Sequence, residues 1–124
     1  MDKDNLHVIF TNVDIISNKL IEFESFITEK KPHVICLNEI LSKSKTNTDD
    51  EIITDLSFPG YTKFFNTKEK TSRGTVTFVQ EHLNAQLDVE LNEMSPTDCV
   101  WVQLMLKDPV LLGNIYRSPS NTYF

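Results

Sequence analysis

Leu6-His7-Val8-Ile9-Phe10-Thr11-Asn12 and Val34-Ile35-Cys36-Leu37-Asn38-Glu39 decide the reading of this chain. Each is a short apolar run, closed by Asn12 in one case and by Glu39 in the other, as half-buried or buried strands are. Between them Ile16, Leu20, Phe23 and Ile27 step by 4, 3 and 4, which is one face of a helix. The pattern predicts a strand over 6–11, a helix from about 17 to 30 with Ser17 as its N-cap, and a strand over 33–40. Lys30 and Lys31 suit the negative end of the helix dipole, and Pro32 stops the helix. The result is a β-α-β unit, whose strands lie parallel in one sheet. Ligands bind at the C-terminal ends of such strands. A carboxylate there, Glu39, is placed to hold a hard metal ion. The spacing equally allows Glu39 to be a solvated strand end and Asn12 an Asx-turn residue.

The rest of the chain reads differently. Residues 42–57 are rich in Ser, Thr, Asn and Asp and predict a loop with one short turn at Ile52-Ile53. Phe58-Pro59-Gly60 is a turn, 61–65 a short strand, and 66–73 a second polar loop. Strands are expected over 74–80, 85–91, 99–106 and 110–116, the last entered through Lys107-Asp108-Pro109. In 99–106, Val100, Val102, Leu104 and Leu106 share one face, and Trp101 and Met105 the other. The expected class is α+β: a β-α-β unit followed by an antiparallel meander, in an α/β sandwich.

With 124 residues the chain is long enough for one domain. Its 40% hydrophobic and 24% charged residues fit a globular protein. No apolar stretch approaches the ~18 residues of a membrane span, and no signal-peptide pattern follows the first methionine. Cys36 and Cys99 sit in apolar runs and read as buried free thiols. Without CxxC or paired Cys/His spacing, no structural zinc site is expected. Cysteine usage and the absence of Asn-x-Ser/Thr sequons favour an intracellular compartment, nucleus or cytoplasm. A net charge of −6 argues against a simple electrostatic nucleic-acid binder, because such proteins rely on Lys and Arg against phosphate. An acidic chain that handles phosphate needs a bound cation.

Six motifs occur in order: Thr11-Asn12-Val13-Asp14; Asn18-Lys19; Val34-Ile35-Cys36-Leu37-Asn38-Glu39; Phe58-Pro59-Gly60-Tyr61; Ser72-Arg73-Gly74; and Ile115-Tyr116-Arg117-Ser118-Pro119. Together they resemble the N-terminal half of an endonuclease/exonuclease/phosphatase domain. Within that superfamily the chain is most similar to the endonucleases of non-LTR, LINE- or jockey-like retrotransposons. The resemblance implies about half of a four-layer α/β sandwich and a Mg2+-dependent phosphodiesterase acting on DNA. It implies Glu39 as the metal-ligating carboxylate and Asn12 as a group that positions the scissile phosphate and the nucleophile. Tyr116 would hydrogen-bond a phosphate oxygen. Asp14 falls where related abasic-site endonucleases carry an acidic residue near the metal.

The chemistry is consistent with those residue types. Mg2+ often takes only one or two carboxylates and keeps several waters. The amide of Asn12 donates to an oxygen without repelling it, and a phenol such as Tyr116 donates where charge develops. Tyr116 also reads as a half-buried strand aromatic, and Arg117 as a solvated charge. His7, His33 and His82 show no partner pattern and read as structural or solvent-exposed.

Two departures stand out. A run of glycines is absent after Ser72-Arg73-Gly74, where Thr75, Val76 and Thr77 follow. Neither Asp-x-Asn nor Ser-Asp-His, which the superfamily uses to supply its general base and orient the attacking water, occurs in the 124 residues. The chain, residues 1–124, is therefore expected to be one partial domain, truncated at its C-terminus. It should bind Mg2+ weakly and be inactive alone, with self-association through an uncovered sheet face in which Trp101 and Met105 are candidates. The alternatives are a degenerate fragment kept as a binding or regulatory module, and an unrelated small α/β domain.

Overall fold

The computed structural model describes residues 2–42, 49–66, 73–95 and 98–116. Strand β1 is Val8–Asn12, helix α1 Leu20–Lys30 and strand β2 Val34–Asn38, with a 3-10 turn at Ile16–Asn18. Helix α2 is Asp49–Asp55, followed by β3 (Tyr61–Asn66), β4 (Thr75–Gln80), β5 (Gln86–Leu87), α3 (Val89–Met94), β6 (Asp98–Leu104) and β7 (Val110–Tyr116). Two sheets result: a four-stranded mixed sheet in the order β1-β2-β4-β3, and a three-stranded antiparallel sheet in the order β5-β6-β7. The α+β sandwich is therefore present, with the meander divided between the two sheets.

Parallel β1 and β2 pair in register from Val8–Val34 to Asn12–Asn38. β2 is buried along all five residues because β1 and β4 flank it and both of its faces are covered. This accounts for a run without alternation. One face, Ile35 and Leu37 with Val76 and Phe78 of β4, packs under Ile16, Ile27, Ile53, Leu56 and Phe58. Leu20 and Phe23 join the same cluster, completing the helical stripe read from the sequence. The other face, Val34, Cys36 and Val79, packs against Val100, Val102 and Leu104 of β6. Cys36 and Cys99 are buried free thiols.

Three local readings change. Ser17 lies inside the 3-10 turn and does not cap α1, because the chain leaves β1 through left-handed residues, Asp14 (φ 54) and Ile15 (φ 70). Within 42–57 the chain forms α2, whose apolar content is too short to show periodicity. Its C-terminal carbonyls are held by the Lys63 ammonium, which donates to Ile53 O, Thr54 O and Leu56 O at 2.8, 2.8 and 2.9 Å. The strand expected over 85–91 shrinks to β5. Asp88 caps α3 by accepting from the Leu91 N–H at 3.0 Å, and local capping overrides the alternation. Asn92 then pairs with the backbone of Trp101 in both directions, taking a strand's place beside β6. Residues 67–72 and 117–124, which include Ser72, Arg117, Ser118 and Pro119, lie outside the described residues.

Trp101 is half-buried rather than open. Its ring lies over Gly113, where a Cβ would come within 2.4 Å of it, and its indole N–H donates to Ser95 Oγ. Met105 is exposed. Leu111 and Ile115 of β7 are exposed as well, and a further uncovered apolar surface among the described residues lies on β1. The second sheet packs over β3, β4 and β2. Val8 and Phe10 stay 40% and 59% exposed. Among the described residues no helix is long and apolar enough to cross a membrane, which says nothing about strands.

Candidate active site at the strand ends

Pairing continues past the ends of β1 and β2. The N–H groups of Val13, Ile15 and Ile16 donate to the carbonyls of Asn38, Glu39 and Ile40 at 2.9, 2.9 and 3.0 Å. The Lys19 ammonium fastens the same loop by donating to the carbonyls of Val13 and Asp14. Asp14 and Glu39 are thus set side by side at the C-terminal edge of the sheet. Glu39 has a left-handed φ of 58, beside those of Asp14 and Ile15. Non-glycine residues in this region cost of order 1–3 kcal/mol each and gather where a chain must aim side chains.

The aim is visible in the contacts. Glu39 Oε1 accepts from Tyr116 Oη at 3.0 Å and from Arg73 Nη1 at 2.7 Å. Arg73 Nη2 donates to Asp14 Oδ1 at 2.7 Å, and Arg73 Nε to the Leu41 carbonyl at 3.0 Å. The ends of β1 and β2 and the start of β4 therefore meet at one guanidinium, and the end of β7 joins them through Glu39. The side chains of Arg73 and Glu39 are 12% and 20% exposed, and that of Asp14 is 68% exposed, so the site is closed below and open to water above.

Gly74 makes the approach of Arg73 workable. It has φ +88, and a Cβ there would come within 2.6 Å of Ile40 Cγ1. Thr75, Val76 and Thr77 fill buried strand positions, so the close packing holds without further glycines.

Local charge follows from this geometry. Burial alone would lower the pKa of Arg73, but the Asp14 hydrogen bond and the charges of Glu39 and Asp14 outweigh it and raise it. Burial, with the Glu39 hydrogen bond and charge, raises the Tyr116 phenol above its ordinary value, so it stays protonated and donates.

The structure thus joins Glu39, Asp14 and Tyr116 by contact. Asn12 sits at the same edge, opposite Asn38. Its exposed side chain makes no hydrogen bond to the described residues. Three residues not picked out as site candidates complete the arrangement. Arg73 was visible only as part of a motif. Asn38 and Asn114 lie beneath the site, both 0% exposed. Asn38 Nδ2 donates to Asn114 Oδ1 at 3.0 Å, and Asn114 Nδ2 to Val76 O and Thr77 Oγ1 at 3.1 and 3.3 Å. An Asn inside the apolar run of β7 was the available signal, since a buried amide requires partners.

A divalent cation fits the donors in one respect. The carboxylates of Glu39 and Asp14 converge on a single cationic group, one of them open to water, which is the donor set that Mg2+ accepts. Among the described residues there is no group of three or more His, Cys, Asp or Glu that could hold a metal. Any cation here would complete its shell with water.

The three histidines gather at the opposite end of the sheet. The His7 backbone N–H donates to His33 Nδ1 at 2.9 Å. Burial, then the charges of His82 and His7, lowers the His33 pKa. A cleft of about 710 Å3 lined by Ile27, Phe58, Tyr61 and His82 lies there too, away from Glu39.

Solved structures share this arrangement of strands and helices. An AP endonuclease from Leishmania major, LMAP, superposes with a TM-score of 0.69 at 20% identity, over 98% of this chain and 43% of that one. The endonuclease domain of TRAS1, a telomere-specific non-LTR retrotransposon, superposes with a TM-score of 0.65 at 13% identity, over 94% of this chain and 48% of that one. The chain carries part of the endonuclease/exonuclease/phosphatase fold. It spans about half the length of these two structures. No family profile and no curated protein matches the sequence.

Proposed function

We propose that this chain is the metal-holding half of a Mg2+-dependent phosphodiesterase of the DNA endonuclease type, derived from a non-LTR retrotransposon. The observation that supports it most is the Glu39 carboxylate at a parallel strand end, with Tyr116 Oη and the Asp14 carboxylate gathered at the same point, on part of an endonuclease fold. Glu39 and Asp14 would hold the cation, which supplies charge neutralisation at the phosphoryl oxygens. Tyr116, kept protonated, donates to a phosphate oxygen. Asn12, exposed at the same edge, offers its amide to the phosphate and the nucleophile.

The general base is missing from this set. No Asp-x-Asn and no Ser-Asp-His occurs in the 124 residues, and the histidines lie at the far end of the sheet. We therefore propose that these residues bind but do not cleave by themselves. The same absence favours the second reading, a degenerate fragment kept as a binding or regulatory module.

Binding of a short DNA duplex with MgCl2 and with EDTA tests the proposal. An acidic chain should associate with DNA only through the cation, so association should need Mg2+ and disappear in Glu39→Gln. Association that ignores Mg2+, or none under either condition, overturns the reading. Supercoiled plasmid should stay uncut. Mg2+-dependent nicking lost in both Glu39→Gln and Asn12→Ala would show that the chain is a complete catalyst.

A further inference from the structure

The guanidinium of Arg73 sits at the point where the two candidate metal-binding carboxylates converge, and three of its nitrogens are engaged. Nη1 and Nη2 each take one carboxylate at 2.7 Å, and Nε is tied to the Leu41 carbonyl at 3.0 Å. Its backbone is fixed as well: the Leu41 N–H donates to the Arg73 carbonyl at 2.8 Å, and the next residue is the sterically required Gly74. This is not a stray surface side chain that fell on a carboxylate. It is anchored to the segment that follows β2, and its fork spans Glu39 and Asp14.

We propose that Arg73 is the resident cation of this site and the direct rival of a divalent metal: Glu39 and Asp14 hold Arg73 or Mg2+, and metal binds only as the guanidinium gives up its two carboxylates. The proposal rests on the metal-holding reading above and adds what regulates it. A guanidinium does not lose its proton in proteins, so it cannot vacate the site by titration. A cation entering beside it meets like charge in a partly closed site, and displacing it breaks two charge-assisted hydrogen bonds. Mg2+, which sheds its waters reluctantly, is a poor competitor under those terms. In the metal-free state the same guanidinium keeps two carboxylates together that would otherwise repel. The site is thereby preformed and restrained at once, and Arg73 sets its metal affinity.

The test is calorimetric titration of MgCl2 into the wild type, Arg73→Gln and Glu39→Gln. Glutamine can still donate to the Leu41 carbonyl but carries no charge. Arg73→Gln should bind Mg2+ at least about tenfold tighter than the wild type, the change that one charge-assisted hydrogen bond represents. Glu39→Gln should bind none. Equal or weaker binding by Arg73→Gln, with measurable binding by the wild type, overturns the rivalry and leaves the metal reading standing. No binding by either protein overturns both. If Arg73→Gln does not fold, the wild type decides through the nitrogen-15 NMR signal of Arg73 Nε–H. The signal should move along the Mg2+ titration with the same midpoint as binding. A signal that stays still while Mg2+ binds overturns the proposal.

Discussion

Replacing Asn114 by Val should destabilise the fold strongly, and replacing its partner as well should restore most of the loss. Asn114 and Asn38 are fully buried between the sheets, directly under Tyr116 and Glu39. The substitution removes the acceptor of Asn38 Nδ2 and the donor to Val76 O and Thr77 Oγ1. Among the described residues Asn38 Oδ1 already has no hydrogen-bond partner, so the single variant leaves an entire buried amide unsatisfied. An orphaned buried polar group costs about 1–3 kcal/mol. With the amide and the Thr77 hydroxyl both affected, the loss should be roughly 2–4 kcal/mol, a large share of the ~5–15 kcal/mol available to a domain. In Asn38→Val/Asn114→Val both amides are gone, and the pair should cost less than Asn114→Val alone, with a coupling of about 1–3 kcal/mol. Urea denaturation of the four proteins measures the cycle. Additive losses, or a single-variant loss below about 1 kcal/mol, would show that the amides do not satisfy one another.

Three further outcomes are expected. Lys63→Met removes three donors from the end of α2 and should cost about 1–2 kcal/mol in urea denaturation; no loss would mean that water replaces the ammonium fully. The lowered His33 pKa means that the unfolded chain binds the proton more readily, so its contribution to stability is present above the ordinary value of 6.5 and is lost as pH falls below it. Melts from pH 7.5 to 5.5 should therefore show a decline that His33→Asn flattens; a parallel decline in that variant assigns it elsewhere. Burial pushes the Cys36 thiol up to about 11, against a smaller opposing effect of the Thr77 hydrogen bond. Iodoacetamide at pH 8 should then modify Cys36 only in urea, since roughly one thiol in a thousand is ionised in the native state. Fast native labelling at Cys36 would contradict the burial.

The β-α-β unit was legible because its signals are local: two apolar runs, one helical stripe and a proline. α2 and α3 were not, because what holds them is distant or small. Lys63 reaches back to three carbonyls of α2, and Asp88 and Asn92 turn an alternating segment into a capped helix. The alternation predicts a meander, yet β3 and β4 join the first sheet and β5 to β7 form the second. A period of two gives the face of a strand but not the sheet it enters. At the candidate site, Glu39, Asp14 and Tyr116 could be named from strand ends and motif order. Arg73 and Asn114 could not, because a buried amide inside a strand and an arginine before a strand acquire a role only from contacts more than thirty residues away.

The proposed divalent-cation site is the edge formed by Asn12, Asp14, Glu39 and Tyr116. Paramagnetic broadening by Mn2+ in the nitrogen-15 spectrum of the chain tests it most directly, because it locates even weak binding. Broadening should centre on the amide signals of Asp14 and Glu39, reach Asn12 and Tyr116, and be abolished by Glu39→Gln. Broadening centred on His7, His33 and His82, or none at the Glu39 edge, would contradict it.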